Sequence, residues 1–334
     1  MKPILSIIVP FYNVEEYFED FLTSLLPIND NYEVILVNDG TKDKSRDIAL
    51  KFISKYKNVV LVDKENGGLS SARNFGFNKA NGEYVIFFDS DDYIENKLVI
   101  SEMLQKAITT NSDIVVAPYY EFTDLNHKKY RYDKVNFSTS LDTLDSKLDP
   151  FYNNNLSFAV WNKLFNTEFL HKSKLVFKEG IWFEDLEFIF RAFYFASKVS
   201  KVNNILLGYR QRKNSIMKTI SPKILDKIFV CDSLIKFLES QNSSKENFEN
   251  FKIIYLRMTF SVIFTIITSN CTSSEKKYYL EKIFHHEQFK LNFKGKLNFK
   301  NNLSKSEYVL YLMIKYKIIN EKNINRTSFF KIFR

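Results

Sequence analysis

The chain has 334 residues, which is enough for one sizeable domain and a smaller one, and its apolar content of 45% supports buried cores. The formal net charge of +9 makes an anionic partner worth testing. Cys231 and Cys271 lie far apart and outside every motif, which excludes a disulfide framework or a cysteine metal site and indicates a reducing compartment.

The first part of the chain alternates between strand and helix patterns. Apolar strands are predicted at residues 5–9 and 34–37, helical spacing follows at 48–56, and a third strand is predicted at 59–62. This alternation predicts a parallel sheet with crossover helices. Since ligands of such sheets lie beyond the carboxyl ends of the strands, Pro10 and the residues after 37 are expected at a binding edge.

A glycine-containing loop follows the third strand. Gly67 and Gly68 let the backbone approach a ligand closely, and Ser70 is expected to cap a helix that runs to about residue 80. Arg73 lies one turn inside that helix, and a helix N-terminus with an arginine favours a diphosphate. The alternative is an ordinary loop and cap. Neither a P-loop nor a dinucleotide-binding glycine motif is present.

Two carboxylates end the next strand-like segment, which begins at Tyr84. On an extended backbone, Asp89 and Asp91 would point to the same side and could address one ligand. Mg²⁺ or Mn²⁺ held by one or two carboxylates commonly completes its shell with water and substrate phosphates. The alternative is turn and cap chemistry.

Four ordered motifs carry a resemblance to a known family. Ile-Val-Pro-Phe-Tyr-Asn, Val-Asn-Asp-Gly-Thr, Asn-Gly-Gly-Leu-Ser-Ser-Ala-Arg-Asn-Phe-Gly and Phe-Phe-Asp-Ser-Asp-Asp together resemble family 2 glycosyltransferases with the GT-A fold, over residues 4–217. The resemblance implies a Rossmann-like, mostly parallel α/β sheet flanked by helices. It also implies a Mn²⁺ or Mg²⁺ cofactor, with Asp91 as the direct ligand and Asp89 closer to the ribose or the donor sugar. The residues expected to bind the donor nucleotide are Pro10, Tyr12, Asp39, Asn66, Gly67, Arg73, Asp89, Arg210, Arg212 and Ser215.

The later motifs would complete the chemistry. By the same resemblance, Trp161, Lys163 and Trp182 would line the sugar and acceptor site. Asp185 matches the catalytic base of an E-D motif, with Glu184 as its supporting partner. Without the family, two acids at a helix start are equally explained by stabilisation of the positive helix end.

A basic segment ends the resembling region. Residues 209–215 resemble a Tyr-x-x-Arg-x-x-Ser stretch of non-processive members, and their cations could neutralise the donor diphosphate when a loop closes. A solvated basic loop is the alternative. The chain lacks the Gln-x-x-Arg-Trp element of processive synthases, which favours the addition of one sugar or a few.

Beyond residue 221 the pattern changes to helical spacing without strand alternation. We therefore predict a catalytic domain at 1–220 and a helical, basic appendage at 221–334. Residues 253–267 form the most apolar segment, but Lys252 and Arg257 interrupt it, so a buried helix is expected rather than a membrane span. The active site should then face the cytoplasm.

Positive charge is concentrated in residues 287–334, where eleven Lys or Arg stand against three acidic residues with aromatics between them. This pattern suits peripheral contact with the inner face of an anionic membrane. A solvated face or a homodimer contact is the alternative. No recognition helix or zinc-finger pattern accompanies the charge, so no nucleic-acid partner is expected.

The sequence as a whole predicts an inverting, metal-dependent glycosyltransferase. It would move a sugar from a nucleotide-diphosphate donor, with UDP expected, to a saccharide acceptor that is lipid-linked, in bacterial surface polysaccharide assembly. One alternative is extension of glycans on a protein or a teichoic-acid-like polymer. The alternative of another class is a non-catalytic sugar-nucleotide or carbohydrate-binding protein with the same fold.

Overall fold

A computed structural model describes residues 2–123, 128–131, 144–153, 155–211 and 221–294, together with 311, 312 and 314. The chain divides into two compact units, the first formed by residues 1–180 and 184–212 and the second by residues 181–183 and 213–334. In this division the segment 181–183 joins the second unit and the first unit ends at residue 212, so the predicted domain boundary after residue 220 stays a prediction. Arg212, Ser215 and nearly all of the basic tail lie outside the described residues.

Strands occur throughout the described sequence of the first unit, from Leu5 to Arg210. They are β1 (Leu5–Phe11), β2 (Tyr32–Asn38), β3 (Val59–Asp63), β4 (Tyr84–Phe87), β5 (Tyr93–Ile94), β6 (Ile114–Val116), β7 (Tyr119–Phe122), β8 (Lys128–Arg131), β9 (Lys163–Asn166), β10 (Val199–Lys201) and β11 (Leu207–Arg210). Seven form a sheet in the order β10-β6-β9-β4-β1-β2-β3, and four form a sheet in the order β5-β11-β7-β8.

The larger sheet is parallel except at one strand. The pairs β1/β2, β1/β4, β2/β3 and β6/β10 are parallel, whereas β9 runs antiparallel to both of its neighbours. The predicted α/β class with a mostly parallel sheet is therefore confirmed. β1 and β2 are apolar and largely buried, as expected of central strands covered on both faces.

Helices flank the strands of this unit. They are α1 (Phe18–Leu25), α2 (Ser45–Ile53), α3 (Leu69–Lys79), α4 (Leu98–Thr110), α5 (Leu144–Tyr152), α6 (Thr167–Lys172) and α7 (Glu184–Phe195). The start of α3 corrects the predicted cap: Gly68 is the N-cap residue with φ 85°, and Ser70 lies buried inside the first turn. Glycine is suited to that position because it adopts positive φ without a Cβ clash.

The carboxyl ends of the central strands meet at one edge. Phe11 at the end of β1 is in register with Asn38 at the end of β2, and Ile8 is in register with Phe87 at the end of β4. The loops that follow therefore begin side by side. Two of them are joined directly, since the Asn13 N–H donates to Thr41 Oγ1 over 2.8 Å.

Beyond residue 220, the described part of the second unit consists of helices joined by short loops, which confirms the predicted helical C-terminal region. A short 3-10 helix (Pro222–Leu225) leads into α8 (Asp226–Ser240), α9 (Lys245–Thr268), α10 (Ser273–His285) and α11 (Glu287–Lys294). By length and composition alone, α9 could cross a membrane, but 67% of its most apolar window is buried in the structure. A helix in the core of a protein that does not enter a membrane can have the same length, apolar composition and burial.

The segment Ile181–Phe183 is held by α8. The Trp182 N–H donates to Asp226 Oδ2 over 2.9 Å, and Lys227 Nζ lies 4.4 Å from the centre of the Phe183 ring. Phe183 has φ 64°, which is unusual for a bulky residue. These contacts explain why three residues in the middle of the chain belong to its C-terminal unit.

Candidate active site

One carboxylate organises the glycine loop after β3. Asp39 accepts hydrogen bonds from the Gly67 N–H (3.0 Å), the Gly68 N–H (2.8 Å), Asn66 Nδ2 (3.1 Å) and Lys64 Nζ (2.6 Å). The Asp39 side chain is buried, so these donors rather than water satisfy it. The charge of Lys64 balances that of Asp39, which leaves this loop a self-contained unit.

The residues predicted to bind the nucleotide differ in how accessible they are. Pro10 is buried inside β1, opposite Val37, whereas Tyr12 is 44% exposed just beyond its end. Asn66 and Gly67 are also exposed. A ligand at this edge would therefore meet Tyr12, Asn66 and Gly67, while Pro10 supports the edge from within. The nucleotide-binding roles of all four remain predictions.

Arg73 lies at the centre of a buried ionic cluster. Its Nη2 lies 2.7 Å from Asp89 Oδ1, and its Nη1 lies 3.0 Å from Glu184 Oε1 and 2.7 Å from Asp185 Oδ1. The guanidinium also lies over the Phe177 ring, 5.1 Å from its centre. The Arg73 side chain is 1% exposed, and its predicted contact with the donor nucleotide stays a prediction. Arg73 joins three carboxylates, because α3, α7 and the turn after β4 bring them together.

The cluster carries more negative than positive charge. Burial and the neighbouring Asp185 raise the pKa of Glu184 to about 7. Burial also raises the pKa of Asp185, against the opposing influence of Arg73. Although burial opposes its charge, the carboxylates, Asp185 foremost, raise the pKa of Arg73 above its ordinary value. One guanidinium does not neutralise three carboxylates, so a further cation nearby would be stabilised.

The D-x-D segment forms a turn at the end of β4. Ser90 and Asp91 are the turn residues, and the Asp92 N–H approaches the Asp89 carbonyl oxygen at 3.4 Å. The predicted extended arrangement of Asp89 and Asp91 is therefore wrong, because strand pairing in β4 stops at Phe87. Both carboxylates are nonetheless partly exposed at the binding edge.

These two acids suit a hard divalent cation. Within the described ranges, no group of three or more His, Cys, Asp or Glu is placed to hold a metal by itself. A Mn²⁺ or Mg²⁺ held by Asp91 and Asp89 would thus need oxygens from phosphate and water to complete its shell, which is a common arrangement. The excess negative charge around Arg73 favours a cation in that place.

Arg210 supports the same turn from behind. Its backbone N–H donates to Asp92 Oδ1 over 2.9 Å, and its Nε donates to the Asp91 carbonyl oxygen over 2.8 Å. Its guanidinium lies 5.0 Å from the Tyr17 ring centre and 4.8 Å from that of Phe122. The Arg210 side chain thus contacts the D-x-D turn through the Asp91 backbone, a contact that the sequence did not predict. Its contact with a donor diphosphate remains a prediction.

Sequence reasoning missed Asp92. Burial, together with the charges of Asp91 and Asp89, raises its pKa well above the ordinary value. The only available signal was its place as the third acid in the run from Asp89, which also fits an ordinary turn.

Trp161 is packed inside the first unit. It is 5% exposed, stacks on Tyr209 with ring centres 5.2 Å apart, and meets the edge of Tyr119 at 4.6 Å. This burial does not support its predicted contact with the acceptor, which stays a prediction. Trp182 is half-buried in the second unit, and its acceptor role stays a prediction.

Lys163 is also buried, with an exposure of 0%. Its ammonium group donates to the carbonyl oxygens of Ser157 (3.0 Å) and Ala159 (2.7 Å) and to Asn162 Oδ1 (2.8 Å). Three donors with three acceptors leave no ammonium proton for an acceptor sugar in this arrangement, so the structure does not support the predicted direct contact of Lys163.

A backbone amide from the same segment reaches the E-D motif. The Val160 N–H donates to Asp185 Oδ2 over 3.1 Å, and Arg73 takes the other oxygen. Asp185 is therefore held at both oxygens at the start of α7. The sequence contains no signal for this contact, because any residue but proline offers a backbone N–H.

Comparison with solved structures defines the fold class. The TarS 1-349 fragment of S. aureus in complex with UDP-GlcNAc superposes with a TM-score of 0.57 at 20% identity, covering 97% of this chain and 83% of that one. The mannosyltransferase PcManGT of Pyrobaculum calidifontis, in complex with GDP-Man and Mn²⁺, gives 0.52 at 14% identity, covering 95% and 86%. The shared fold is the GT-A fold, as the resemblance implied.

Sequence comparison gives the family. Residues 6–172 match the family model described as Glycosyl transferase family 2. The cholesterol galactosyltransferase of Borreliella burgdorferi is 30% identical over 295 residues, covering 84% of this chain and 81% of that protein. EpsJ of Bacillus subtilis, an uncharacterized glycosyltransferase, is 34% identical over 220 residues, and the match spans 65% of this chain and 63% of EpsJ. The chain belongs to glycosyl transferase family 2.

Proposed function

We propose that this glycosyltransferase is metal-dependent and inverting, and that it transfers a sugar from a nucleotide-diphosphate donor to a saccharide acceptor. One observation carries the proposal: Arg73 bonds to Asp89 of the D-x-D turn and to Asp185 of the E-D motif, each at 2.7 Å. A donor-side carboxylate and a candidate base are thereby fixed on a single guanidinium. Metal and acceptor would then meet on adjoining sides of one cluster.

Asp185 is the proposed general base. Its oxygens accept from Arg73 and from the Val160 N–H, and each oxygen retains a lone pair for the hydroxyl of an acceptor sugar. Its raised pKa makes it a stronger base than an ordinary aspartate. A positioned base of this kind typically contributes ~10² to 10⁴-fold in rate. The hydroxyl would attack the anomeric carbon opposite the leaving diphosphate, which inverts the configuration without a covalent enzyme intermediate.

Asp91 and Asp89 are the proposed metal-holding residues. Mn²⁺ or Mg²⁺ bound there would stabilise the negative charge that develops on the leaving diphosphate. Support comes from the surplus of carboxylates around Arg73 and from the presence of Mn²⁺ in the PcManGT complex, which shares the fold. The pKa of Glu184, about 7, would fall once that cation is bound, because a nearby positive charge favours the ionised carboxylate.

The donor is proposed to be a UDP-sugar, with its base near Tyr12, Asn66 and Gly67. Neighbours of the same fold contain UDP-GlcNAc or GDP-Man, so the fold itself accepts both bases. The proposed acceptor is a lipid-linked saccharide at the inner face of the cell membrane, during surface polysaccharide assembly. The basic, aromatic tail and a relative named for transfer of galactose to cholesterol, a lipid, support a lipid-borne acceptor.

Calorimetry with UDP, GDP and dTDP, with and without Mn²⁺, tests the donor half on the wild type and Asp91→Ala. We expect metal-dependent binding of one nucleotide, UDP foremost, and its loss in the variant. No binding to folded wild-type protein would contradict the proposal and favour a non-catalytic role.

Transfer by Asp185→Asn tests the catalytic half. We expect transfer to fall by ~10²-fold or more while nucleotide binding persists, since only the base is removed. Asp47→Asn, at an exposed position in α2, is the matched control and should transfer normally. Unchanged turnover by Asp185→Asn would refute the base assignment.

A further inference from the structure

We propose that Lys163 is a positioning residue for Asp185. Its ammonium group fixes the segment 157–162 so that the Val160 N–H orients the Asp185 carboxylate. This inference rests on the proposed function, in which Asp185 is the base, and it adds a residue with no contact to the reacting atoms.

Lys163 lies where a charged ammonium group is energetically unfavourable. It is the first residue of β9 and has no exposed surface. Burying an ammonium group disfavours its charged form unless hydrogen bonds compensate. The carbonyls of Ser157 and Ala159 and the side chain of Asn162 provide that compensation. Because all three acceptors lie within one short stretch, the same contacts that satisfy the lysine also shape that stretch.

The segment is pinned at its far side as well. Asn162 Nδ2 donates to the Ala117 carbonyl oxygen over 2.8 Å, and the Ala117 N–H donates back to the Asn162 carbonyl oxygen over 2.9 Å. The Lys163 N–H closes a turn onto the Val160 carbonyl oxygen over 3.1 Å. The peptide that carries the Val160 N–H is therefore enclosed between the Lys163 side chain and backbone.

This amide completes the geometry of Asp185. Arg73 holds Oδ1 but is shared with Asp89 and Glu184, so it cannot set the orientation of one carboxylate alone. The Val160 N–H at Oδ2 is the second fixed point. The charged groups that face Asp185 are Arg73, Glu184, Asp89 and Lys163, and both the Val160 hydrogen bond and the Lys163 charge lower its pKa.

The test compares Lys163→Met with Lys147→Met in the full-length, metal-free protein. Lys147 is a matched control because it is also buried and donates to a backbone carbonyl, that of Ala196, elsewhere in the unit. The readouts are amide exchange at Val160 and the Asp185 titration by carboxyl ¹³C NMR, assigned with Asp185→Asn. We expect Lys163→Met alone to speed Val160 exchange by ~10-fold or more and to move the Asp185 titration to higher pH, because the Val160 hydrogen bond and the Lys163 charge both lower the Asp185 pKa.

An unchanged Val160 exchange rate and Asp185 titration in folded Lys163→Met would overturn the inference, as would equal changes in Lys147→Met. If Lys163→Met does not fold, Lys163→Gln keeps one donor group and should give a smaller change in the same direction, with no change counting against the inference. Turnover of Asp185→Asn distinguishes a failure of the proposed function from a failure of this inference. Normal turnover of that variant would refute Asp185 as the general base. An unchanged Asp185 titration in the Lys163 variants would refute only the positioning role of Lys163.

Discussion

Two buried ionic arrangements lie at the same edge of the sheet, and their central groups have opposite charge. In the Asp39 loop one carboxylate is surrounded by four donors, of which one is a lysine. In the Arg73 cluster one cation is surrounded by three carboxylates. The first arrangement is balanced and needs nothing further. The second retains surplus negative charge, so it is the place where an added cation changes the energy most.

Removing the cation of the unbalanced cluster should have the largest effect. Arg73→Met leaves buried carboxylates without a partner, and we expect a loss of ~3–5 kcal/mol in the free energy of unfolding, measured by urea denaturation. Arg46→Met is the control, because Arg46 pairs with Asp63 where both side chains are about half exposed, and such solvent-screened pairs contribute little to stability. Similar losses in the two variants would mean that Arg73 does not hold the cluster together.

Removing the anion of the balanced loop should cost somewhat less. Asp39→Ala leaves the Gly67 and Gly68 amides and Lys64 without their acceptor, but this loop is partly open to water, which can replace some of the bonds. We expect ~2–3 kcal/mol of destabilisation and faster amide exchange at Gly67 and Gly68. Slow exchange at both glycines in the variant would argue that the loop is organised by something else.

The surplus charge of the Arg73 cluster predicts that the stability of the protein depends on pH. Burial raises the pKa of Glu184 to about 7 from an ordinary value of 4.5, so the stability that its proton gives is present below pH 4.5 and lost as the pH rises through 7. Glu184→Gln keeps a neutral side chain there. With metal removed by EDTA, the free energy of unfolding of Glu184→Gln should equal that of the wild type near pH 4 and exceed it by ~2–3 kcal/mol at pH 8.

Urea denaturation at the two pH values measures this difference. Glu168→Gln should differ in sign, because Lys172 lowers the pKa of the exposed Glu168 and its contribution is lost as the pH falls. A Glu184→Gln difference that stays constant with pH would show that the cluster is not overcharged.

The smallest expected effect concerns the backbone that brings the loop to Asp39. Gly68 has φ +85°, and a Cβ there would meet nothing within 4 Å, so Gly68→Ala should cost only the conformational penalty of ~1–2 kcal/mol. Gly180→Ala is the matched control, since Gly180 has φ +79° and equally open surroundings. Thermal unfolding should report similar losses, and calorimetry should find weaker nucleotide binding only for Gly68→Ala. Equal nucleotide binding by the two variants would show that the loop at Gly68 is not part of the nucleotide site.

The central strands and the location of the binding edge could be predicted from sequence, because both depend on local apolar runs and on polar residues directly after them. The predicted strands at 5–9, 34–37 and 59–62 fall within β1, β2 and β3. The Arg73 cluster could not be predicted, because Glu184 lies 111 positions from Arg73 and no local pattern records that pairing.

The sequence likewise did not show whether individual side chains are buried or exposed. Trp161 and Lys163 occupy a polar motif, and an aromatic and a cation there fit a sugar-binding surface as well as a packed interior. Only the three acceptors around Lys163 and the rings around Trp161 decide for the interior. Likewise, the turn at Asp91 follows from where strand pairing ends at Phe87, which residue spacing does not encode.

The segment Ile181–Phe183 limits how this polypeptide could be divided or recombined. A gene shortened after residue 220 would still encode the E-D motif, but the Trp182 N–H would lose Asp226 and the Phe183 ring would lose Lys227. The residue that follows is Glu184, the first residue of α7. Exchange of C-terminal segments between related enzymes would therefore replace the partners of the residues directly before the proposed base, so residues 181–183 and the segment after residue 220 would need to be exchanged together.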